Sequence, residues 1–249
     1  MNNIRQIKIK EFINEKQFVS IRELRELCPE VTLMTLHRDL DALAGEGSIV
    51  KLRGGARMIR QSGETSFNSR ENENTEAKKT IARKAAGLIS EGGSVFFDAG
   101  TTTLAVIRAL PDIDLTVITN GANFASELQR FLNVSTYMCC GALNRSNMAL
   151  SGHSTLEFLE SINIDLGFIG VSGYTSESGF TCGVESEMHV KKLIIQKARK
   201  SVILMDATKL SRLMPYTFAR LGDVDYVICD GNVPEPFLRE AAESGVEVL

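Results

Sequence analysis

The chain has 249 residues, of which 43% are hydrophobic and 24% charged, values typical of a soluble globular protein with room for two domains. No apolar run is long enough to cross a membrane, and the N-terminal residues lack the apolar core of a secretory signal. The net charge of −3 is uneven: residues 1–60 hold 11 Lys and Arg against 8 Asp and Glu (+3), and the remainder holds 17 against 23 (−6). This asymmetry is weak evidence for an anionic partner at the N-terminus.

The five cysteines form no CxxC pair and no zinc-type spacing with histidine. We therefore expect reduced thiols in a cytoplasmic protein, with no metal and no cofactor.

Residues 1–60 carry three short helical patterns followed by a hairpin pattern. The second helix has a capping candidate in Ser20 and ends at Pro29, and the third has one in Thr32. The alternating stretch IVKLRGGARMI turns at a Gly-Gly pair, which predicts a small β-hairpin. Together these elements predict an α+β winged helix-turn-helix, whose third helix would enter the major groove of DNA. On periodicity alone, a helical packing or dimerisation domain stays an alternative.

Candidates for DNA contact lie on the polar side of the third helix and on the wing. Arg38 suits guanine or phosphate, and threonines suit phosphate or a thymine methyl. Basic wing residues would meet the DNA backbone. The predicted set is Thr32, Thr35, His37, Arg38, Asp39, Lys51, Arg53, Gly54 and Gly55.

Residues 61–76 are almost free of aliphatic side chains and are predicted to be a linker, with Phe67 docking as an exception. From residue 77 to 249, short apolar runs such as VFFDAG, SVILMDA and YVICD alternate with amphipathic segments. This alternation predicts an α/β domain with a mostly parallel sheet covered on both faces.

The stretch DAGTTT follows the first apolar run of this domain and opens a helix. Gly100 permits a close turn, and Thr101–Thr103 add hydroxyls to the unpaired amides of a helix N-terminus, which together form an anion site. Asp98 would repel phosphate but accept hydrogen bonds from sugar hydroxyls. A capped helix with no ligand is the alternative.

Other polar residues follow the later strands. Thr119 and Asn120 end LTVITN, Gly173 ends FIGVSG, and Asp206 and Lys209 follow VILM. Because the carboxyl ends of parallel strands gather at one edge, these residues are expected to line a ligand site. Glu187 and Lys191 lie one helical turn apart, where an exposed ion pair is the alternative.

The segment VTLMTLHRDLDALAGEGSIVKLRGGA resembles the N-terminal signature of the DeoR family of bacterial transcriptional repressors. The matching residues are Thr35, Arg38, Asp39, Leu40, Leu43, Gly47, Arg53, Gly54, Gly55 and Ala56. Thr32 stands where serine is usual, and His37 replaces the first arginine of a pair, which removes a permanent charge from a DNA-facing position.

The resemblance extends over residues 78–230, through FFDAGTTT, VITN, GALNRSNMALSG, DLGFIGVSG, GFTCGVESEMHVKK and LMDATKLSR. It implies a sensor domain, similar in fold to ribose-5-phosphate isomerase, that binds a phosphorylated sugar and thereby weakens operator binding. The effector set implied by matching position is Asp98, Gly100, Thr101, Thr102, Thr103, Thr119, Asn120, Gly173, Glu187, Lys191, Asp206 and Lys209. Departures from the family pattern are Ala77, Ala99, Cys140 and Ala207.

Two functions compete on these residues. A sugar-phosphate isomerase-like enzyme with an accessory helical domain could use Asp98, Glu187 and Lys191 as acid, base and electrophile. A regulator explains the N-terminal domain as well, and a shared fold does not confer a reaction. We therefore predict a DNA-binding transcriptional regulator with no catalytic residues. Its expected partners are double-stranded operator DNA, a phosphorylated sugar and a second copy in a homodimer or homotetramer, with no membrane partner.

Overall fold

The computed structural model describes residues 2–16, 18–45, 49–52, 54–58, 65–231 and 233–249. The chain divides into two compact units, Met1–Arg70 and Glu71–Leu249. The division falls inside the segment 61–76 for which the sequence predicts a linker.

The N-terminal unit is a winged helix-turn-helix, as predicted. Its elements in chain order are α1 (Asn2–Lys16), β1 (Phe18–Ser20), α2 (Ile21–Leu27), α3 (Leu33–Gly45), β2 (Ile49–Leu52) and β3 (Gly55–Met58). The helices share a buried core that includes Ile13, Leu24, Leu36 and Leu40. The strands form an antiparallel sheet in the order β1-β3-β2. β1, with only three residues, is too short to show a periodicity, and the sequence did not predict it.

Both predicted helix caps are present. The hydroxyl of Ser20 accepts a hydrogen bond from the amide of Glu23 at 3.3 Å, and the Glu23 carboxylate accepts one from the Ser20 amide at 2.9 Å. This capping box fixes the start of α2. The Thr32 hydroxyl likewise accepts from the amide of Thr35 at 3.3 Å and starts α3.

Two helices occur within or beside the predicted linker. α4 (Phe67–Glu71) begins where the Ser66 hydroxyl accepts from the Ser69 amide at 3.3 Å, and Phe67 is buried. α5 (Thr75–Ala86) follows. The segment is therefore more ordered than its composition indicates, because local caps and one docked aromatic ring supply the contacts that aliphatic residues do not. Residues 61–64 lie outside the described part of the chain.

The C-terminal unit is an α/β domain built on a parallel sheet, as predicted. Its strands are β4 (Ser94–Phe97), β5 (Leu115–Thr119), β6 (Val134–Met138), β7 (Ala142–Asn144), β8 (Ala149–Ser151), β9 (Leu166–Gly170), β10 (Gly173–Thr175), β11 (Gly179–Cys182), β12 (Lys200–Met205), β13 (Tyr216–Ala219), β14 (Tyr226–Cys229) and β15 (Glu247–Val248). Seven of them form the parallel sheet in the order β15-β14-β12-β9-β4-β5-β6. Side chains on both faces of β9 and β12 are buried, as expected for a sheet covered on both sides.

The helices of this unit connect the parallel strands. They are α6 (Thr101–Arg108), α7 (Ala125–Leu128), α8 (His153–Glu160), α9 (Glu185–Lys197) and α10 (Glu235–Glu243). The amphipathic sequence pattern over residues 121–131 predicts one helix, but the structure has only a 3-10 turn at Ala122–Phe124 and the four residues of α7 there. Two small antiparallel sheets, β7-β8 and β10-β11-β13, were not predicted.

Candidate functional site

The order of the strands in the parallel sheet reverses direction between β4 and β9. From β4 the chain proceeds outward through β5 to β6 on one side, and then from β9 through β12, β14 and β15 on the other. The crevice at the carboxyl ends of β4 and β9 is therefore the topological switch point, where open α/β sheets bind ligands. Asp98 directly follows β4, and Gly170 ends β9.

A buried ion pair lies at this switch point. Lys191, on α9, pairs its ammonium group with the carboxylate of Asp98, and both side chains are at least 95% buried. The same ammonium donates to the Gly170 carbonyl at 2.9 Å, and the Gly170 amide donates to the Asp98 carboxylate at 3.2 Å. Burial alone would lower the pKa of Lys191, but the charge of Asp98 outweighs it, so the pKa is raised. Lys191 is therefore a fixed cation rather than half of an exposed pair.

The first turn of α6 contains the residues for which the sequence predicts an anion site. The Thr103 hydroxyl donates to the Asp98 carbonyl at 2.5 Å, which ties the helix start to the end of β4. The first bond of the helix ladder runs from the Leu104 amide to the Gly100 carbonyl at 3.0 Å. The amides of Thr101 and Thr102 precede that bond and point, as helix N-terminal amides do, toward a prospective anion. The Thr103 hydroxyl makes its hydrogen bonds to backbone carbonyls, those of Asp98 and Gly100.

Thr119 and Asn120 shape the neighbouring turn. The Asn120 side-chain oxygen accepts from the Ala99 amide at 2.8 Å, and its side-chain nitrogen donates to the Leu150 carbonyl at 3.3 Å. The Thr119 hydroxyl donates to the Phe97 carbonyl at 2.6 Å. Both side chains are fully buried, so they position the backbone of the site.

Glu187 is held by two asparagines that the sequence did not single out. Its carboxylate accepts from the Asn147 side chain at 2.9 Å and from the Asn144 side chain at 3.2 Å. These asparagines lie in the β7-β8 hairpin, some 40 residues earlier in the chain. The tract GALNRSNMALSG contains both, but nothing local indicates that they reach α9.

Asp206 and Lys209 lie where β12 ends. Asp206 accepts hydrogen bonds from the amide and the hydroxyl of Thr208, and so caps the 3-10 turn Ala207–Lys209. The side chain of Asn74, at the start of α5, donates to Asp206 at 3.4 Å and to Thr208 at 3.2 Å. The sequence did not predict this contact between the C-terminal end of the sheet and the segment that follows α4.

Gly173 has a packing role that no other residue can fill. A Cβ atom at this position would lie 2.2 Å from the backbone oxygen of Arg212. The glycine therefore lets the segment after the Ala207–Lys209 turn pass close to β10.

A separate cleft of about 400 Å³ lies between α5 and α6, with Thr101 at one end. Two of its cations have partners within the protein: Arg108 pairs with Glu71 and Glu127, and Lys78 donates to the Glu73 carbonyl at 2.6 Å. Its lining does not include the Asp98–Lys191 pair, so we place the candidate site at the switch point.

The candidate DNA-contacting residues differ in how exposed they are. Thr32, which precedes α3, and Arg38, on α3, are exposed, and Thr35 and His37 are half-buried. Lys51 is exposed on β2 and bound to Asp41 at 2.6 Å. Arg53 lies outside the described residues. Gly54 turns the wing with a φ of +91°, which favours glycine.

Gly55 and Asp39 serve the fold of the unit. A Cβ at Gly55 would lie 2.4 Å from the Val19 backbone oxygen, where β3 meets β1. Asp39 was expected on the polar face, and that expectation is wrong. It is 97% buried, with its carboxylate accepting from Arg5 at 2.6 Å and from Gln6 at 3.0 Å. Its charge joins α1 to α3 and faces no groove.

Two apolar residues at the start of α3 are exposed instead. Helical periodicity places Leu33 on the inner face with Leu36, Leu40 and Leu43, but Leu33 is 44% exposed, and Met34 is 75% exposed. Apolar side chains on a recognition helix suit thymine methyl groups. Helical periodicity alone treats such residues as core, which is why the sequence missed Met34.

Within the described ranges, no helix is both long and apolar enough to cross a membrane. In the same part of the chain, no three His, Cys, Asp or Glu side chains gather in a way that could hold a metal ion.

Solved structures resemble the chain only in part. Ribose 5-phosphate isomerase A from Methanocaldococcus jannaschii is 16% identical, with a TM-score of 0.42 over 55% of each chain. The eIF2B delta protein from Chaetomium thermophilum is 14% identical, with a TM-score of 0.48 over 66% of this chain and 60% of its own.

Curated relatives cover nearly the whole chain. The HTH-type transcriptional regulator GlpR of Haloferax volcanii is 34% identical over 98% of this chain and 96% of its own length. The HTH-type transcriptional repressor GlcR of Bacillus subtilis is 33% identical over 98% and 95%. The glycerol-3-phosphate regulon repressor of Escherichia coli is 30% identical over 96% and 95%.

Two family models match in succession. The DeoR-like helix-turn-helix domain covers residues 5–62, and the DeoR C terminal sensor domain covers residues 73–231. With both halves matched in order, and with relatives that are regulators rather than enzymes, the chain belongs to the DeoR family of helix-turn-helix transcriptional regulators.

Proposed function

We propose that this protein is a cytoplasmic repressor of a carbohydrate operon, and that a phosphorylated sugar weakens its binding to operator DNA. The observation that carries the proposal is the switch point, where a buried carboxylate–ammonium pair adjoins the N-terminal turn of α6. Such a site offers an acceptor for hydroxyls beside donors for a phosphate.

The ion pair would allow one site to bind both ends of such a ligand. An unpaired Asp98 would repel a phosphate a few residues away, and Lys191 offsets that charge. The phosphate would lie on the amides of Thr101 and Thr102, with Lys209 as a further cation. Asp98 and Glu187 would accept from sugar hydroxyls.

The remaining members of the predicted set support the site rather than define its chemistry. Gly100 starts α6, Thr103 and Thr119 bind backbone carbonyls, and Asn120 holds the turn after β4. Gly173 and Asp206 fix the segment that carries Lys209. The names of the relatives favour a ligand of this class, since one is a repressor named for a glycerol-3-phosphate regulon.

DNA binding falls to α3 and the wing. Arg38 and the exposed Met34 would contact base edges, with Thr32, Thr35 and His37 beside them. Lys51 and Arg53 would contact phosphates. Helix-turn-helix proteins read two half-sites as twofold dimers, so we infer a homodimer or a homotetramer built from dimers.

The contact between Asn74 and Asp206 gives the effector site a route to the rest of the chain. Asn74 lies three residues after the start of the C-terminal unit and bonds directly to the end of β12. Glu71, the first residue of that unit, is bound by Arg108 at the C-terminal end of α6. A ligand that shifts α6 or the end of β12 would therefore act on the segment leading to the DNA-binding unit. By linkage, that ligand must then bind the DNA-free state more tightly.

Two variants separate the two activities. Thr102→Glu places a charge in the anion site, so we expect unchanged operator binding but no release by sugar phosphates in a fluorescence anisotropy titration. Ser126→Glu adds the same charge at an exposed position on α7 and should behave as wild type. Normal release of DNA from Thr102→Glu would place the phosphate elsewhere.

The second variant tests DNA binding. Arg38→Ala should lower operator affinity about tenfold or more while leaving sugar-phosphate affinity unchanged.

A further inference from the structure

The outer edge of β6 is an open strand edge. β6 ends the seven-stranded sheet, and within the described residues no other strand pairs with its outer side. Ser135, Thr136 and Tyr137 are all exposed. Because successive side chains point to opposite faces, β6 has exposed side chains on both faces of the sheet. A parallel strand is normally buried on both faces, so β6 is less covered than is usual for such a strand.

The register shows which backbone groups point outward. The Leu115 amide donates to the Asn133 carbonyl at 3.4 Å, and the Cys139 amide donates to the Thr119 carbonyl at 2.8 Å. The backbone amides and carbonyls of residues 133, 135, 137 and 139 therefore point toward β5. With a period of two, the amides and carbonyls of Val134, Thr136 and Met138 face outward.

β6 and the residues that flank it carry no charged side chain, and the Asp112 carboxylate, which accepts from the amides of Leu132 and Asn133, is a charge near the start of the strand. The sequence holds no Asp, Glu, Lys or Arg from residue 131 to 144. Leu132, Tyr137 and Leu143 are 91%, 52% and 46% exposed. Edge strands of monomers are usually protected by charges or proline, and β6 has neither. The opposite edge is protected, since β15 has two residues and one of them is the exposed Glu247.

We propose that β6 pairs antiparallel with β6 of a second copy, about a twofold axis at Thr136. The choice of a second copy rests on the proposed function, because a twofold operator requires a twofold protein. It also rests on charge, because a strand without charged side chains meets the same strand of a second copy without repulsion between them. The same patch serves both subunits, so the contact closes at two copies and does not propagate.

A twofold axis at Thr136 gives a hydrogen-bond partner to every outward-facing backbone amide and carbonyl of β6. It sets Thr136 opposite Thr136 of the second copy and Val134 opposite Met138, so all three residues form hydrogen-bonded pairs. Tyr137 then lies opposite Ser135 of the second copy, which covers the exposed ring. The two sheets become one continuous sheet.

Proline at this position tests the pairing. Thr136→Pro removes an outward amide and leaves the bonds to β5 intact, which is where an edge strand tolerates proline. We expect the mass of the wild-type protein by analytical ultracentrifugation to be a multiple of the 27.3 kDa chain and to halve in this variant. Thr136→Val keeps the amide and should keep the wild-type mass.

Disulfide trapping tests the register and does not depend on the proline variant folding. In a Cys140→Ser background, Thr136→Cys places two cysteines in a pair whose Cα atoms are about 5.5 Å apart, within reach of a disulfide. Mild oxidation should give a covalent dimer. Ser135→Cys in the same background should not, since Ser135 lies opposite Tyr137. A monomeric wild type, or a folded Thr136→Pro of unchanged mass together with no disulfide at residue 136, would overturn the proposal.

Measurements of sugar-phosphate and operator affinity show whether the β6 interface or the proposed effector is wrong. If both are right, the half-mass variant binds sugar phosphate normally and loses operator affinity about 100-fold or more. If the wild-type protein binds no sugar phosphate while the disulfide still forms, the proposed effector is wrong and the interface stands.

Discussion

At the scale of single residues, the Asp98–Lys191 pair makes the candidate site and the fold depend on each other. Removing one partner leaves an uncompensated buried charge, which costs about 3–5 kcal/mol, whereas removing both is far milder. We therefore expect Lys191→Met to lower the free energy of unfolding in urea by about that amount. The double variant with Asp98→Asn should recover most of it. Lys192→Met, at the exposed neighbouring position, should change stability little. Equal losses at 191 and 192 would contradict a buried pair.

The same pair predicts an alkaline limit to stability. The pKa of Lys191 is raised in the folded protein above its ordinary value of 10.5. A raised pKa gives stability that is complete below the ordinary value and is lost as the pH rises through the folded one. The difference in unfolding free energy between wild type and Lys191→Met should thus be constant near neutrality and shrink above pH 10.5. A difference that persists at higher pH would mean that packing, not charge, accounts for the loss.

At the scale of elements, Asn74 connects the end of β12 to the start of α5. Its φ of 51° is left-handed, so Asn74→Gly removes the side chain without straining the backbone. We expect this variant to bind operator and sugar phosphate with normal affinities but to show a smaller change in operator affinity on adding ligand. Asn72→Gly, in the same segment, should respond as wild type. An unchanged coupling in Asn74→Gly would move the route elsewhere, for instance to Arg108 and Glu71.

Sequence patterns revealed elements whose signal is local. The buried strands β4, β5, β9, β12 and β14 coincide with short apolar runs and could be predicted from them, and both helix caps followed from Ser20 and Thr32. The three-residue strands β1, β7 and β10 are too short for a periodicity to show.

The site was predictable as a set of strand-end residues but not as a set of contacts. Asp39 looked like a DNA-facing residue because its partner, Arg5, lies 34 residues earlier. The asparagines that hold Glu187 were missed for the same reason. Pairings over such separations are set by topology, and no local pattern records them.

At the scale of the whole molecule, two compact units with separate cores should unfold as two transitions. A ligand stabilises only the unit that binds it, by about 2.7 kcal/mol at a hundred times its dissociation constant. For a unit of this size, that raises the melting temperature by about 5–10 °C. In differential scanning calorimetry, a sugar phosphate should therefore shift the transition of the C-terminal unit alone, and operator DNA that of the N-terminal unit.

The variants assign the two transitions. Thr102→Glu should abolish the shift produced by the sugar phosphate and keep the one produced by DNA, and Arg38→Ala should do the reverse. When both ligands are present, each should stabilise less than it does alone, because a repressor released by its effector binds the two with negative coupling. Additive shifts would show that the two sites do not communicate, even if both ligands bind where we propose.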